Sequence, residues 1–215
     1  LNFSIPWPQF KSLIKMKKII LFTLIVLSVL SCKSKKNYSG CQNHFFPNIY
    51  NGEMFSLEYP EGWEVDDSEW HGEDSLQNEL QILPPIPTTY NRKVAIADLP
   101  CWVHCVKRYL HIPVKTAKEA AELSKAFTPN NPNNGFIGIV EEVDSLVIDG
   151  KPTYLIIYAY RDEENNDTII NKQYNTILPK SHTIFMFNSN FSIKDDGTGE
   201  EIGNKIIKSI KFKTE

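Results

Sequence analysis

Asp149-Gly150 separates two long strand-like runs, Gly138 to Ile148 and Thr153 to Tyr160, and this arrangement constrains the fold most. An Asp-Gly pair between such runs is a strong signal for a two-residue hairpin, because both residues tolerate the left-handed backbone of a tight turn. In the second run Tyr154, Ile156, Tyr158 and Tyr160 share one face, and Leu155, Ile157 and Ala159 share the other. Both faces are apolar, which predicts a central strand covered on both sides. The chain is therefore expected to build an antiparallel sheet onto which the rest packs.

The other elements follow from local pattern. Phe55, Leu57 and Tyr59 alternate with polar residues and stop at Pro60, as in a half-buried strand. Pro60-Glu61-Gly62-Trp63 is a turn that returns the Trp63 ring to the core. Leu76 to Leu83 reads as a strand stopped by Pro84-Pro85, and Val94 to Ala97 and Trp102 to Tyr109 as two more. Thr116-Ala117-Lys118-Glu119 is a capping box whose hydroxyl and carboxylate satisfy orphan amides at a helix start. Ala120, Leu123, Ser124 and Phe127 form the face of that helix, which stops before Pro129. Thr128 to Gly135, rich in Asn and Pro, is a loop. After the hairpin come an acidic turn from Asp162 to Asp167 and strands from Thr168 to Leu178 and Thr183 to Asn188. Ile202, Ile206 and Ile207 mark a terminal helix with Asp195 and Asp196 near its positive end. Ser209-Ile210-Lys211-Phe212 forms a last short strand. There is no internal repeat, and the sum is α+β, an antiparallel β-sheet with helices packed on it.

The N-terminal end carries a different message. Lys17-Lys18, an apolar run from Ile19 to Val29 and a small residue before a cut make a secretory signal. The run is shorter than the roughly 20 apolar residues of a membrane span. Val29-Leu30-Ser31-Cys32 resembles the lipobox of bacterial lipoproteins. That resemblance implies that Cys32 is acylated, palmitate being the expected type of chain, and becomes the first mature residue, held in membrane lipid. The Lys-Lys start and Ser-Cys end resemble those of Bacteroidota lipoproteins, in which an acidic run after the cysteine marks export to the cell surface. Lys33-Ser34-Lys35-Lys36 is basic instead, which implies a periplasm-facing position in the cell envelope. Residues 1–15 fit no part of a signal and read as an over-extended gene start before Met16. The expected organisation is then signal peptide 16–31, tether 32–51 and a single domain 52–215. The basic start of the tether also suits anionic headgroups.

Cleavage before Cys32 removes 31 of the 215 residues and four of the 23 Lys and Arg against 26 acids, leaving 184 residues at net charge −7. An acidic surface repels phosphate backbones, so nucleic acid is not an expected partner. A chain of that size suits one domain that buries roughly 70% of its unfolded surface.

Phe55-Ser56-Leu57-Glu58-Tyr59-Pro60-Glu61-Gly62-Trp63, then a helix, the Asp149-Gly150 hairpin, a long strand pair and a terminal helix leading into Ser209-Ile210-Lys211-Phe212 make a distinctive order. It resembles the PsbP-like group, which includes the extrinsic photosystem II subunit, a Ran-binding import factor and many bacterial lipoproteins. The resemblance spans roughly residues 50 to 215 and implies an α/β/α sandwich around an antiparallel sheet. Members mostly bind or stabilise other proteins and share no catalytic machinery, so no functional residue is carried over.

Several constellations nevertheless invite chemistry. Without Cys32, the cysteines are Cys41, Cys101 and Cys105, an odd number that allows one internal disulfide at most. Cys41-x-x-His44 and Cys101-x-x-His104-Cys105 have spacings seen in zinc sites if the two clusters meet. The alternatives are a disulfide from Cys41 to Cys101 or Cys105, or unpaired thiols. On one strand Cys101 and Cys105 lie about 13 Å apart and cannot bridge each other. A cysteine nucleophile with His104 or His182 as base is the papain-like arrangement, but the glycine-rich lead of that family is missing. Gly-x-Ser-x-Gly, His-Glu-x-x-His and phosphate-loop signatures are missing too. Asp162, Glu163, Glu164 and Asp167 lack the alternation and glycine of a calcium loop. Tyr154, Tyr158 and Tyr160 suit a sugar or peptide groove, or simply the core. Asp74-Ser75-Leu76, Asp144-Ser145-Leu146 and Asp167-Thr168-Ile169 resemble the O-glycosylation sequon of Bacteroidota secreted proteins.

The leading expectation is a lipid-anchored, periplasm-facing PsbP-like domain that binds a protein of the envelope, without catalysis or cofactor. A thiol- or zinc-dependent enzyme using Cys101, His104 and Cys105 is the first alternative. The second is a small-ligand binder with a pocket between helix and sheet.

Overall fold

The computed structural model describes residues 41, 45–69, 77–85, 99, 101–110, 112–127, 135–162, 166–178 and 182–213. All of them fall in one unit, Tyr38–Glu215. The strands are β1 (Asn48–Asn51), β2 (Phe55–Tyr59), β3 (Glu64–Glu69), β4 (Gln77–Leu83), β5 (Cys101–Tyr109), β6 (Phe136–Ile148), β7 (Lys151–Asp162), β8 (Asp167–Leu178), β9 (Thr183–Ser192) and β10 (Lys211–Phe212). The helices are α1 (Ala117–Phe127), between β5 and β6, and α2 (Thr198–Ser209), before β10. Val94 to Ala97, expected as a strand, lies outside the described residues.

Asp149 and Gly150 have φ of 47° and 74°, the two positive angles that a tight hairpin turn of this kind demands. The β6–β7 hairpin they join is the first of a chain of antiparallel pairings that gives, among the described residues, a seven-stranded sheet in the order β3-β4-β5-β9-β8-β7-β6. A second, three-stranded sheet has the order β1-β2-β10. The hairpin turn also fastens the chain end, because Asp149 accepts hydrogen bonds from the Phe212 amide (2.8 Å) and Lys211 Nζ (3.2 Å).

The layers follow from strand parity. On one face Cys101, Val103, Cys105, Phe185, Phe187 and Phe191 pack with Ile202, Ile206 and Ile207 of α2 and with Phe55 and Leu57 of the small sheet. Gly203 lets α2 approach: a Cβ there would collide with Ser189 Oγ and lie 3.0 Å from Ser189 Cβ. The other face carries α1, whose Ala117 and Ala121 lie against Tyr154, Ile156 and Tyr158 while Ala120 meets Val106, Ile177, Ile184 and Met186. The result is the expected α/β/α sandwich.

Three expectations need adjustment. The strand predicted to be central, β7, is covered on both faces from Thr153 to Ile156 but lies next to the edge strand. The middle position belongs to β9, buried along its whole length and continuing past Asn188 to Ser192. The described part of the stretch expected as tether up to Asn51 packs with the domain, since Cys41 is buried in the core, Phe46 packs on it and β1 pairs with β2. The buried side of α1 is Ala117, Ala120, Ala121 and Ser124, with Leu123 only half-buried. Small residues on that side seat the helix close to the tyrosines of β7.

The capping box forms with one change of partner. Thr116 Oγ1 accepts from the Glu119 amide at 3.1 Å, and Glu119 Oε2 accepts from the Lys115 amide at 2.7 Å. Thr116→Ala is expected to lower stability by about 1 kcal/mol, read by urea denaturation. A change near zero would mean that water replaces this cap without loss. At the start of α2 no side chain of Gly197 can serve, and Asp195 Oδ2 accepts from the Gly199 amide instead.

Candidate functional site

β5 decides the fate of the cysteine and histidine cluster. Successive residues of a strand point to opposite faces, so Cys101 and Cys105 face α2 while Trp102 and His104 face the α1 side. Of the pairings left open by the sequence, the structure takes Cys41–Cys101, with Cα atoms 6.5 Å apart. Cys105 keeps a free thiol and is buried. Burial pushes that thiol well above its usual pKa, although Lys107 pulls the other way. A buried protonated thiol is a poor nucleophile and a poor ligand. His104 Nε2 lies 3.4 Å from Glu79 Oε2, within ion-pair reach but without hydrogen-bond geometry. Cys101, His104 and Cys105 are thus not brought together as the enzyme alternative requires. His182 sits in the turn before β9 with its ring 6.4 Å from Tyr109, and His44 lies outside the described residues. Among the described residues no three His, Cys, Asp or Glu converge as a metal site.

Other residues singled out by sequence have structural partners. Asp162 and Asp167 face each other across the β7–β8 ladder. Asp167 accepts from the Thr168 amide and from Ser192 Oγ, and Glu163 and Glu164 lie outside the described residues. Tyr154 donates to Glu142 Oε2 at 2.7 Å, and Lys125 of α1 reaches Glu142 Oε1 at 2.7 Å, which ties helix to hairpin. Tyr154 and Tyr158 belong to the core beneath α1. Of the three glycosylation-like tripeptides, Ser145 is exposed at φ 68°, Thr168 is half-buried, and Asp74-Ser75-Leu76 lies outside the described residues.

Two features were not anticipated. The first is β6, the edge strand of the large sheet among the described residues. Phe136, Ile137, Ile139 and Val140 are 38%, 59%, 44% and 62% exposed. The ladder to β7 shifts register between Phe136 and Gly138 and again between Ile139 and Glu141, so Ile137 and Val140 are extra residues of bulges. Phe136 packs its ring 5.7 Å from Tyr160 and 6.2 Å from Tyr158. Burial, then the neighbouring Tyr158, pushes the Tyr160 phenol up to about 12, so it stays a neutral donor. The opposite edge, β3, is short and reads Glu-Val-Asp-Asp-Ser-Glu, a charged edge that discourages pairing. One edge is therefore guarded by charge, while the other presents aliphatic and aromatic side chains to solvent.

The second feature is polar. Trp102, Asn190, Asn171 and Tyr158 form one row across β5, β9, β8 and β7, and His104, Asn188, Gln173 and Ile156 form the next. These rows lie on the α1 side of the sheet. Asn171 Nδ2 donates to Asn190 Oδ1 at 2.6 Å and to Asn188 Oδ1 at 3.4 Å, while Gln173 Nε2 donates to Ser124 Oγ at 2.7 Å and to Asn175 Oδ1 at 2.9 Å. The signal was present as alternation, Trp102-x-His104, Asn171-x-Gln173-x-Asn175 and Asn188-x-Asn190. It goes unnoticed until the strands are placed side by side.

No family model and no curated protein sequence matches the chain. Solved structures do. The cyanobacterial PsbP protein CyanoP of Synechocystis is similar at TM-score 0.50 and 11% identity, over 77% of this chain and 92% of that one. LpqN of Mycobacterium tuberculosis, described as involved in cell envelope biogenesis, matches at TM-score 0.46 and 16% identity, over 77% and 87%. The Ran-binding protein Mog1p of Saccharomyces cerevisiae matches at TM-score 0.45 and 10% identity, over 76% and 95%. The likeness to CyanoP shows the PsbP-type fold that the sequence resemblance implied, and the two lower scores add nothing to it.

Proposed function

We propose that this chain is a lipid-anchored, periplasm-facing envelope protein whose PsbP-like domain binds a protein partner without catalysis. The single observation that supports binding is the apolar surface of β6, where Phe136, Ile137, Ile139 and Val140 stand exposed beside Tyr160. Apolar clusters of this kind, with aromatic members, are what protein partners cover. Glu141 and Asp144 are exposed next to them and favour a partner face that mixes apolar with basic side chains. The bulges at Ile137 and Val140 interrupt the strand edge, so recognition runs through side chains more than through an added strand. The anchor rests on the lipobox-like Val29-Leu30-Ser31-Cys32. The enzyme alternative is disfavoured by a Cys101 tied in a disulfide and a Cys105 on the opposite face from His104.

Two variants separate anchor from binding. Cys32→Ser is expected to abolish palmitate labelling and to leave the membrane fraction. The pair Ile137→Asp and Val140→Asp is expected to stay in the membrane with stability changed by only about 0.5 kcal/mol, yet to lose the complex that the wild type forms on a native gel. A wild type that runs alone, or a double variant that keeps its complex, would contradict the proposed surface.

A further inference from the structure

The two polar rows on the α1 side of the sheet lie where a packed sheet centre is normally apolar. β5, β9 and β8 are interior strands, and beyond these two rows the face continues beneath α1 into Val106, Met186, Ile184 and Ile177, with buried Asn175 opposite Met186. Six side chains, Trp102, His104, Asn171, Gln173, Asn188 and Asn190, break that pattern together. Asn188, Asn190 and Gln173 form a buried floor, with Trp102, His104 and Asn171 half-buried around them. Their mutual bonding is incomplete: among the described residues the shielded Asn171 Oδ1 has no hydrogen-bond partner, and His104 Nε2 has only the 3.4 Å approach of Glu79 Oε2, without hydrogen-bond geometry. An orphaned polar atom at such a place costs stability unless something else satisfies it.

The chemistry of the set points to one class of ligand. Amides offer donors and acceptors at once, and that is what a hydroxyl requires. His104 adds a ring nitrogen, and Trp102 adds an indole able to lie against an apolar C–H face. Among the described residues these two rows hold no Lys or Arg, so an anion finds no countercharge. We infer that the Trp102–Asn190–Asn171 row and the His104–Asn188–Gln173 row beside it form a binding site for a neutral, hydroxyl-rich ligand of the saccharide class. The site lies on the α1 face, and its Trp102 row runs through Tyr158 to Ile139 of β6, so it adjoins the apolar residues proposed for protein docking at the sheet's edge. Neither claim depends on the other.

The test uses the purified full-length protein with two neutral probes, maltotriose and triacetylchitotriose, followed by the NMR signal of the Trp102 indole. The expected result is a saturable shift with at least one probe, at a Kd on the order of 1 mM. Asn190→Ala and Asn171→Ala should each weaken it by about tenfold. Trp102→Leu should abolish binding, read from transfer of saturation to the sugar. His104→Gln, which keeps a polar group of similar size, guards against variants that fail to fold and should weaken binding with the melting temperature unchanged. An indole that neither sugar moves, or binding that survives Trp102→Leu, Asn190→Ala and His104→Gln in folded variants, would overturn the assignment.

Discussion

Phe185→Ala is expected to destabilise the protein by about 3–5 kcal/mol, the range for deleting a buried ring from a core that cannot close over the gap. Phe185 is wholly buried on β9, the middle strand. Its ring lies 5.8 Å from Phe55 in an edge-to-face arrangement, 5.9 Å from the parallel ring of Phe187 and 5.6 Å from Phe212. Those neighbours belong to three different strands, β2, β9 and β10. Removing the ring therefore loosens the small sheet from the large one as well as opening a cavity. Urea denaturation gives the energy, and hydrogen exchange gives the place, with β2 and β10 amides expected to exchange faster than those of β7. A loss below about 1 kcal/mol would mean that the two sheets are not joined through this cluster.

The second large effect belongs to the disulfide. Cys41 and Cys101 are 60 positions apart, and closing a loop of that length removes unfolded-state entropy equivalent to about 4 kcal/mol in the chain-entropy account. The bond also fixes the segment before β1 to an interior strand of the large sheet. Cys41→Ser with Cys101→Ser is expected to cost about 2–4 kcal/mol. Reduction should lower the melting temperature of the wild type to that of the variant and leave the variant unmoved. Cys105 does not substitute, because it lies four positions along the same strand and is buried in its own environment. Equal melting temperatures for oxidised and reduced wild type would contradict this account.

Features set by neighbouring residues were legible in the sequence. Asp149-Gly150 announced its hairpin because the backbone angles it adopts are ones few other pairs tolerate. The Thr116 and Glu119 cap, and Asp195 at the start of α2, were readable because each acts within one turn of chain. Spatial order across the sheet was not. β9 pairs with β5, far away in sequence, and no local pattern says that it rather than β7 takes the middle. Asn188 and Asn190 also interrupt its apolar alternation, so it looked shorter than it is. The disulfide partner was undecidable for a similar reason: Cys101 and Cys105 share one face of β5, and alternation cannot choose between them. The β6 surface escaped notice because a strand beside a strong hairpin turn looks equally good at an edge or inside. Its bulges put Ile137 and Val140 outside the two-residue period on which the reading depends.

Photo-crosslinking in the source membrane tests the proposed binding surface on β6 most directly. A photoreactive residue would replace Ile137 or Val140, with Ile49 and Ile193, 66% and 57% exposed, as controls elsewhere on the domain. A discrete protein adduct is expected from positions 137 and 140, absent at 49 and 193 and lost when Phe136→Ser is added. Adducts of equal strength from all four positions, or from 49 and 193 alone, would contradict the proposed surface.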